Sequence, residues 1–258
     1  MKLQEIIETL SLKAAAREAG LELRMVGGRV ELTPTDPDDP RYSTAFILPS
    51  MRMVEACRAD DFDFFQPFID AGRLTAEQMH RAAARYHLGK TRSGKPLFWM
   101  ISETLDPMDA HIASDDWLSS LLKARQPLLQ HWCPTHCLFG QHLLSTLNSA
   151  PVAIVESEAS AAVLSELFPE VLWMAYATVE HLDVALFAPL QGRAVAIYPS
   201  TDPSASTYLF FLDLAEAVRQ RYDIHISVAS ILEDLATPPQ KDRCIDLLGF
   251  LQESLATD

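Results

Sequence analysis

Four apolar runs in the second half constrain this chain most: VAIVE (152–156), VLWMAY (171–176), AVAIYP (194–199) and DIHISVA (223–229). Segments of helical character near 158–167, 180–188, 204–221 and 241–256 alternate with them. Short runs that stay apolar at nearly every position read as strands buried on both faces. Strands of that kind separated by helices predict a parallel sheet covered by helices, an α/β arrangement.

The front half has a different rhythm. Leu3, Ile6, Ile7 and Leu10 share one face of a predicted helix over 3–19, stopped by Gly20. LELRMV and RVELT flank Gly27-Gly28 and predict a β-hairpin. PTDPDDP (34–40) is an acidic, proline-rich loop and marks a boundary. FDFFQPFIDAG and LTAEQMHRAAARY predict two short helices, the second capped by Thr75. PLFWMIS, after Gly94, predicts a strand, and DDWLSSLLKARQ a helix capped near Ser114 or Asp115. The expected organisation is an N-terminal helix and hairpin (1–40), a mixed α+β region (41–150) and an α/β domain (151–258).

Charge narrows the function classes. The chain carries 21 Lys/Arg against 35 Asp/Glu, net −14, which works against general binding to a polyanion. The imbalance sits in residues 151–258, with 5 Lys/Arg against 16 Asp/Glu, net −11. Residues 1–150 carry 16 against 19, net −3. Between positions 73 and 95, Arg73, Arg81, Arg85, Lys90, Arg92 and Lys95 meet a single acid, Glu77. Arg81, Arg85, Lys90, Arg92 and Lys95 are therefore the candidate phosphate-binding strip; the alternative is a solvated helix face running into a basic turn. Four scattered cysteines make no disulfide scaffold. No apolar run approaches the roughly 20 residues of a membrane span, and the amino terminus lacks the apolar segment of a secretion signal. A cytoplasmic protein with no membrane association is expected.

In open parallel sheets, ligands bind outside the carboxyl ends of the strands. Glu156 and Glu158 fall at such an end in PVAIVESEASAAV (151–163), and YPSTDP (198–203) falls at another. A glutamate after the first strand and a short acidic motif after a later one resemble the Toprim fold of primases and topoisomerases. YHLGKTRSGKPLFWMI (86–101), CLFGQHLL (137–144), PVAIVESEASAAV and LQGRAVAIYP (190–199) are similar to a bacterial Toprim-like family of unknown function, related to DNA primases. The resemblance spans roughly residues 62–225. It implies a Toprim-like parallel sheet, Glu156 as the acid/base residue, and Glu156 with Asp202 as ligands of a magnesium ion.

Departures from the family pattern temper what is implied. Ser200 stands where the family has an aspartate after Tyr-Pro, and Ala159-Ser160 follow Glu158 where it has a lysine. Tyr176-Ala177-Thr178 replaces a glycine-bearing turn, and no CxxC zinc ribbon is present. Two carboxylates make a poor magnesium site unless substrate phosphates complete the shell. Asp202 before Pro203 also suits a helix cap with proline at the first helical position, and Glu158 suits a first-turn acid. HWCPTHC (131–137) offers His131, Cys133, His136 and Cys137, with His142 nearby, but in no standard zinc spacing, so Cys137 is read as packing.

The expected function is a degenerate Toprim-like protein of primase-related ancestry, with weakened or lost catalysis and a binding or regulatory role. Two alternatives stand beside it. One is a magnesium-dependent phosphoryl-transfer enzyme acting on nucleic acid or a nucleotide. The other is an acidic interaction module whose C-terminal half meets a protein partner.

Overall fold

The structure, a computed structural model, describes residues 17, 21–26, 29–34, 49–113, 116–125, 136–147 and 149–255. The expected N-terminal helix lies almost wholly outside these residues. So do the Gly27-Gly28 turn, the loop at 35–40, the Ser114/Asp115 cap, and His131 and Cys133.

The predicted hairpin is present as β1 (Leu21–Val26) and β2 (Arg29–Pro34), paired antiparallel. α1 (Met51–Ala56), unforeseen in the sequence, is opened by Ser50, whose hydroxyl accepts from Met53 N. FDFFQPFIDAG forms a short 3-10 turn running into α2 (Gln66–Asp70). α3 (Ala76–Arg85) begins in a capping box: Thr75 Oγ1 accepts from Gln78 N at 3.2 Å, and Gln78 Oε1 accepts from Thr75 N at 3.0 Å.

An antiparallel sheet follows, in the order β3 (Gly89–Lys90), β4 (Pro96–Ile101), β5 (Pro107–Ile112), β6 (Asp116–Trp117). Gly89 is forced by proximity, since a Cβ there would lie 2.7 Å from the Cys57 carbonyl oxygen. The helix predicted from DDWLSSLLKARQ starts late, as α4 (Leu118–Arg125), because Asp116 and Trp117 pair with β5 first. β4 is buried on both faces. Phe98 and Met100 join the main core, whereas Leu97, Trp99 and Ile101 form a second cluster with Val54, Ala110 and Ile112.

The predicted parallel sheet is present with all four strands: β7 (Val152–Val155), β8 (Leu172–Ala175), β9 (Ala194–Ile197) and β10 (His225–Val228). Their order is β10-β9-β7-β8, every pair parallel. α5 (Glu158–Leu167) connects β7 to β8, and α6 (Ser206–Arg221) connects β9 to β10. The 180–188 segment is two 3-10 turns rather than an α-helix, with Pro189 inside the second. α7 (Ile231–Leu235), α8 (Pro238–Asp242) and α9 (Leu247–Leu255) complete the chain. The protein is thus an α/β fold: a parallel sheet flanked by helices, preceded by a mixed N-terminal region. No helix among the described residues is long and apolar enough to cross a membrane.

One core runs across the 150/151 boundary, from Phe62 and Phe65 through Phe139 to Val195 and Leu248. The CLFG segment is the seam. Phe139 exchanges backbone hydrogen bonds with Ala175 at 2.9 and 3.2 Å, so it extends the parallel sheet past β8. Tyr86 stacks on Phe139 and donates its hydroxyl to Trp173 O at 2.7 Å. Arg193 ties the loop before β7 by donating to the carbonyls of Leu144 (2.9 Å), Leu147 (2.8 Å) and Ala150 (3.3 Å).

Candidate functional site at the carboxyl edge of the parallel sheet

The connections leaving β7 and β9 run in opposite directions, to β8 on one side and β10 on the other. The crevice between β7 and β9 is therefore a topological switch point, the position where open α/β sheets take their ligands. Glu156 follows β7 directly, and Ser200, Thr201 and Asp202 follow β9 across the crevice. The two segments singled out in the sequence, 46 positions apart from 156 to 202, share one sheet edge.

Ser200, not Asp202, meets Glu156. Ser200 Oγ donates to Glu156 Oε2 at 2.5 Å. Asp202 is buried and occupied elsewhere. Its Oδ1 accepts from Ser204 N (2.8 Å), Ser204 Oγ (2.5 Å) and Ser206 N (3.1 Å), and its Oδ2 from Thr207 N (2.8 Å) and Ser206 Oγ (3.1 Å). Burial alone would raise its pKa, but these donors hold the carboxyl well below the usual range. Asp202 does serve the amino terminus of α6, through Ser206 N and Thr207 N, but the N-cap residue is Ala205 and not Asp202. α6 starts at Ser206, so Pro203 lies in the preceding turn rather than at the first helical position.

Other carboxylates at this edge are similarly engaged. Thr201 Oγ1 donates to Glu233 Oε1 at 2.5 Å, and Lys241 Nζ reaches Glu233 Oε2 at 2.9 Å. Ser160 Oγ donates to Asp246 Oδ2 at 2.5 Å, and Gly249 N donates to Asp246 Oδ1 at 2.8 Å. Tyr176, just past β8, adds a phenol to this edge. Its hydroxyl is buried beside Glu156 and Ser200, and burial, reinforced by the Glu156 charge, pushes its pKa up.

Ala177 sits next to it at φ 62°, in the left-handed region that favours glycine. Relieving that strain outweighs the extra freedom glycine gives the unfolded chain. Ala177→Gly is therefore expected to raise stability by about 0.5–1 kcal/mol in urea denaturation. A loss of stability would refute this account of the turn.

The basic strip does not survive as a unit. Arg81 and Arg85 lie on α3 and grip Glu166 of α5: Arg81 NH2 is 2.5 Å from Oε2, and Arg85 NH2 is 3.1 Å from Oε1. The Glu166 side chain is 1% exposed, and a carboxylate so buried requires paired charge. Lys90 pairs with Asp61 at 3.0 Å and lies over the Phe62 ring. Arg92 and Lys95, in the turn joining β3 to β4, remain exposed. Tyr86, Phe98 and Trp99, the aromatics near this strip, are all buried.

Two features escaped the sequence reading. Glu158 is the first-turn acid of α5, as expected, but its burial and its partner were not foreseen: it bonds to His111 Nδ1 of β5 at 2.7 Å, which ties the two sheets together. His142 donates Nε2–H to Arg85 O at 3.0 Å, and burial pushes its pKa down to about 4, so the ring is neutral at pH 7. Burial pushes the Cys137 thiol up to about 12, in keeping with the packing role expected of it. Among the described residues, no three of His, Cys, Asp and Glu cluster as a metal site. The residues at the sheet edge therefore do not fit magnesium: one carboxylate is bonded to a serine and the other is consumed by its own turn.

A family model described as a domain of unknown function, DUF6371, matches residues 63–201. No curated protein matches the chain.

Proposed function

The chain belongs to the DUF6371 family, whose model takes in more than half of its length, and we propose that it is a Toprim-like protein of primase-related ancestry that binds at its sheet edge without turning over phosphodiesters. The ancestry rests on the resemblance of the CLFG and VESE segments. The observation that carries loss of catalysis is the 2.5 Å bond from Ser200 Oγ to Glu156 Oε2. A hydroxyl that donates to the carboxylate is a neutral partner, and it supplies no second anionic oxygen of the kind a hard cation would need beside Glu156. Of the five strip residues, Arg92 and Lys95 are the ones left for a phosphate, because Arg81, Arg85 and Lys90 already serve carboxylates.

Manganese titration followed by proton relaxation, together with magnesium calorimetry, tests this reading. The wild-type chain should show no saturable site below millimolar metal. Ser200→Asp places a second carboxylate against Glu156 and should gain roughly tenfold or more in affinity, since a divalent cation relieves the new repulsion. Wild-type micromolar binding, with magnesium-dependent cleavage or synthesis of a nucleic-acid strand abolished by Glu156→Gln, would establish the phosphoryl-transfer enzyme instead.

A further inference from the structure

α7 and α8 lie against the end of β9, between two points where the chain is anchored. On one side Ala229 N donates to Ile197 O at 2.8 Å, continuing β10 alongside β9. On the other, Ile245 O accepts from Thr201 N at 3.1 Å, and Ile245, Leu247 and Leu248 are buried. Asp246 beside them is held by Ser160 Oγ and Gly249 N. The segment between these anchors, 231–244, is built differently. Among the described residues, α7 buries only Leu232 and leaves Ile231 and Leu235 exposed, and α8 buries none of its side chains. Segments with so little buried apolar surface open at a free energy far below that of the whole molecule.

Polar contacts hold this segment shut. Glu233 Oε1 of α7 accepts from Thr201 Oγ1 at 2.5 Å, and Glu233 Oε2 meets Lys241 Nζ of α8 at 2.9 Å. Lys241 also donates to Glu233 O at 2.9 Å, so α7 and α8 are stapled to each other and move together. Gln240 and Arg243 reach Glu253 of α9, but these contacts are exposed and contribute little. The bond from Thr201 to Glu233 is the one that reaches the sheet edge. Thr201 is 0% exposed and follows Ser200, which bonds Glu156. Strain is stored here as well. Cys244, at the end of the segment, is exposed at φ 52°, a left-handed conformation that an L-residue keeps only when its surroundings impose it. Opening relieves it.

We propose that residues 231–244 are a lid, hinged at Ser230 and Cys244 and latched by Glu233 on Thr201, which opens while both sheets stay folded and uncovers the end of β9 beside Glu156. The opening follows from α7 and α8 themselves; its use as a gate rests on the sheet edge being the binding site proposed above. In the closed form Ser200 and Thr201 are buried, so a molecule approaching Glu156 from the β9 side meets the lid first.

Residue-resolved hydrogen exchange of the full chain tests the motion. The amides of Asp234, Ala236 and Lys241 are bonded within the lid or to its hinge, whereas Tyr198 N is bonded to Ile154 O across β7 and β9. The lid amides should exchange at least about a hundredfold faster than Tyr198 and with far weaker urea dependence. Thr201→Val should speed them about tenfold more and leave Tyr198 unchanged. Glu233→Ala removes the same bond from the lid side and serves should the buried variant fold poorly. Access is read separately: Ser200→Cys, alkylated by iodoacetamide and followed by peptide mass spectrometry, should react at least about tenfold faster once Glu233→Ala is added. Lid amides as protected as Tyr198, or exchange that neither variant speeds, would overturn the lid. So would an equal rise at Tyr198 in both variants, which reports loosening of the whole molecule. Unchanged alkylation would overturn the gate. The metal titrations above stand on their own, so the two readings fall separately.

Discussion

Replacing Arg81 and Arg85 together by alanine should destabilise the protein by about 3–5 kcal/mol at pH 7, measured by urea denaturation. Glu166 side-chain atoms are 1% exposed, and these two guanidiniums supply the opposing charge. Arg85 further holds Ser165, through Oγ at 3.3 Å and the carbonyl at 3.4 Å, so α3 and α5 would lose polar contacts beyond the ion pair. Arg81→Ala alone should cost much less, about 1 kcal/mol or below, because Arg81 is 53% exposed and Arg85 stays in place. Adding Glu166→Leu to the double variant should recover most of the loss, since an apolar residue needs no counter-charge. A double variant within about 1 kcal/mol of wild type would refute the assignment. The same arithmetic warns against using these arginines to test nucleic-acid binding: weaker binding by that variant would report a damaged helix interface.

Gly140→Ala should be as damaging, at about 2–5 kcal/mol by thermal or urea denaturation. Two costs add. Gly140 has φ +83°, where an L-residue pays about 1–2 kcal/mol. Its added Cβ would also lie 3.0 Å from the Trp173 carbonyl oxygen and 3.0 Å from Tyr86 Cε1, and overpacking of that kind costs about 1–3 kcal/mol. Neither neighbour can yield, because the Tyr86 hydroxyl is bonded to that same carbonyl. Gly94 is the control: at φ +83° with nothing within 4 Å of its added Cβ, Gly94→Ala should cost only the backbone share. Equal losses at the two positions would show that the seam is looser than described.

The parallel sheet was legible because its strands advertise themselves locally: VAIV and LWMA are buried on both faces and leave no polar alternation, and AVAI, although open on one face, fills that face with alanine. Thr75 likewise announced α3, with Gln78 at the spacing that closes a capping box. β5 was illegible. PMDAHI begins with proline and buries Asp109, whose carboxylate is satisfied by Ala110 N, Ser119 N and Ser119 Oγ. Such a strand exists only once α4 has delivered its donors. The candidate site divides the same way. The placement of Glu156 and residues 200–202 at one edge follows from strand order and could be read from the sequence. The partners of Glu158, Arg81 and Arg85 could not, because those pairs join residues 47 to 85 positions apart. For Arg81 and Arg85, local charge density suggested a free surface, whereas tertiary pairing commits both to the buried Glu166.

The shared core decides how this molecule can come apart. A protease nick at the exposed Ser149–Pro151 stretch would sever the chain between the two sheets. The pieces would still be joined by the Phe139–Ala175 bridge, the Tyr86 hydroxyl on Trp173, the clasp of Arg81 and Arg85 on Glu166, and the His111–Glu158 pair. Arg193 would keep its hold on the carbonyls of Leu144 and Leu147 across the cut. The nicked protein would travel as one particle and separate only when both fragments unfold, so its sheets are halves of a single cooperative unit and not tethered beads.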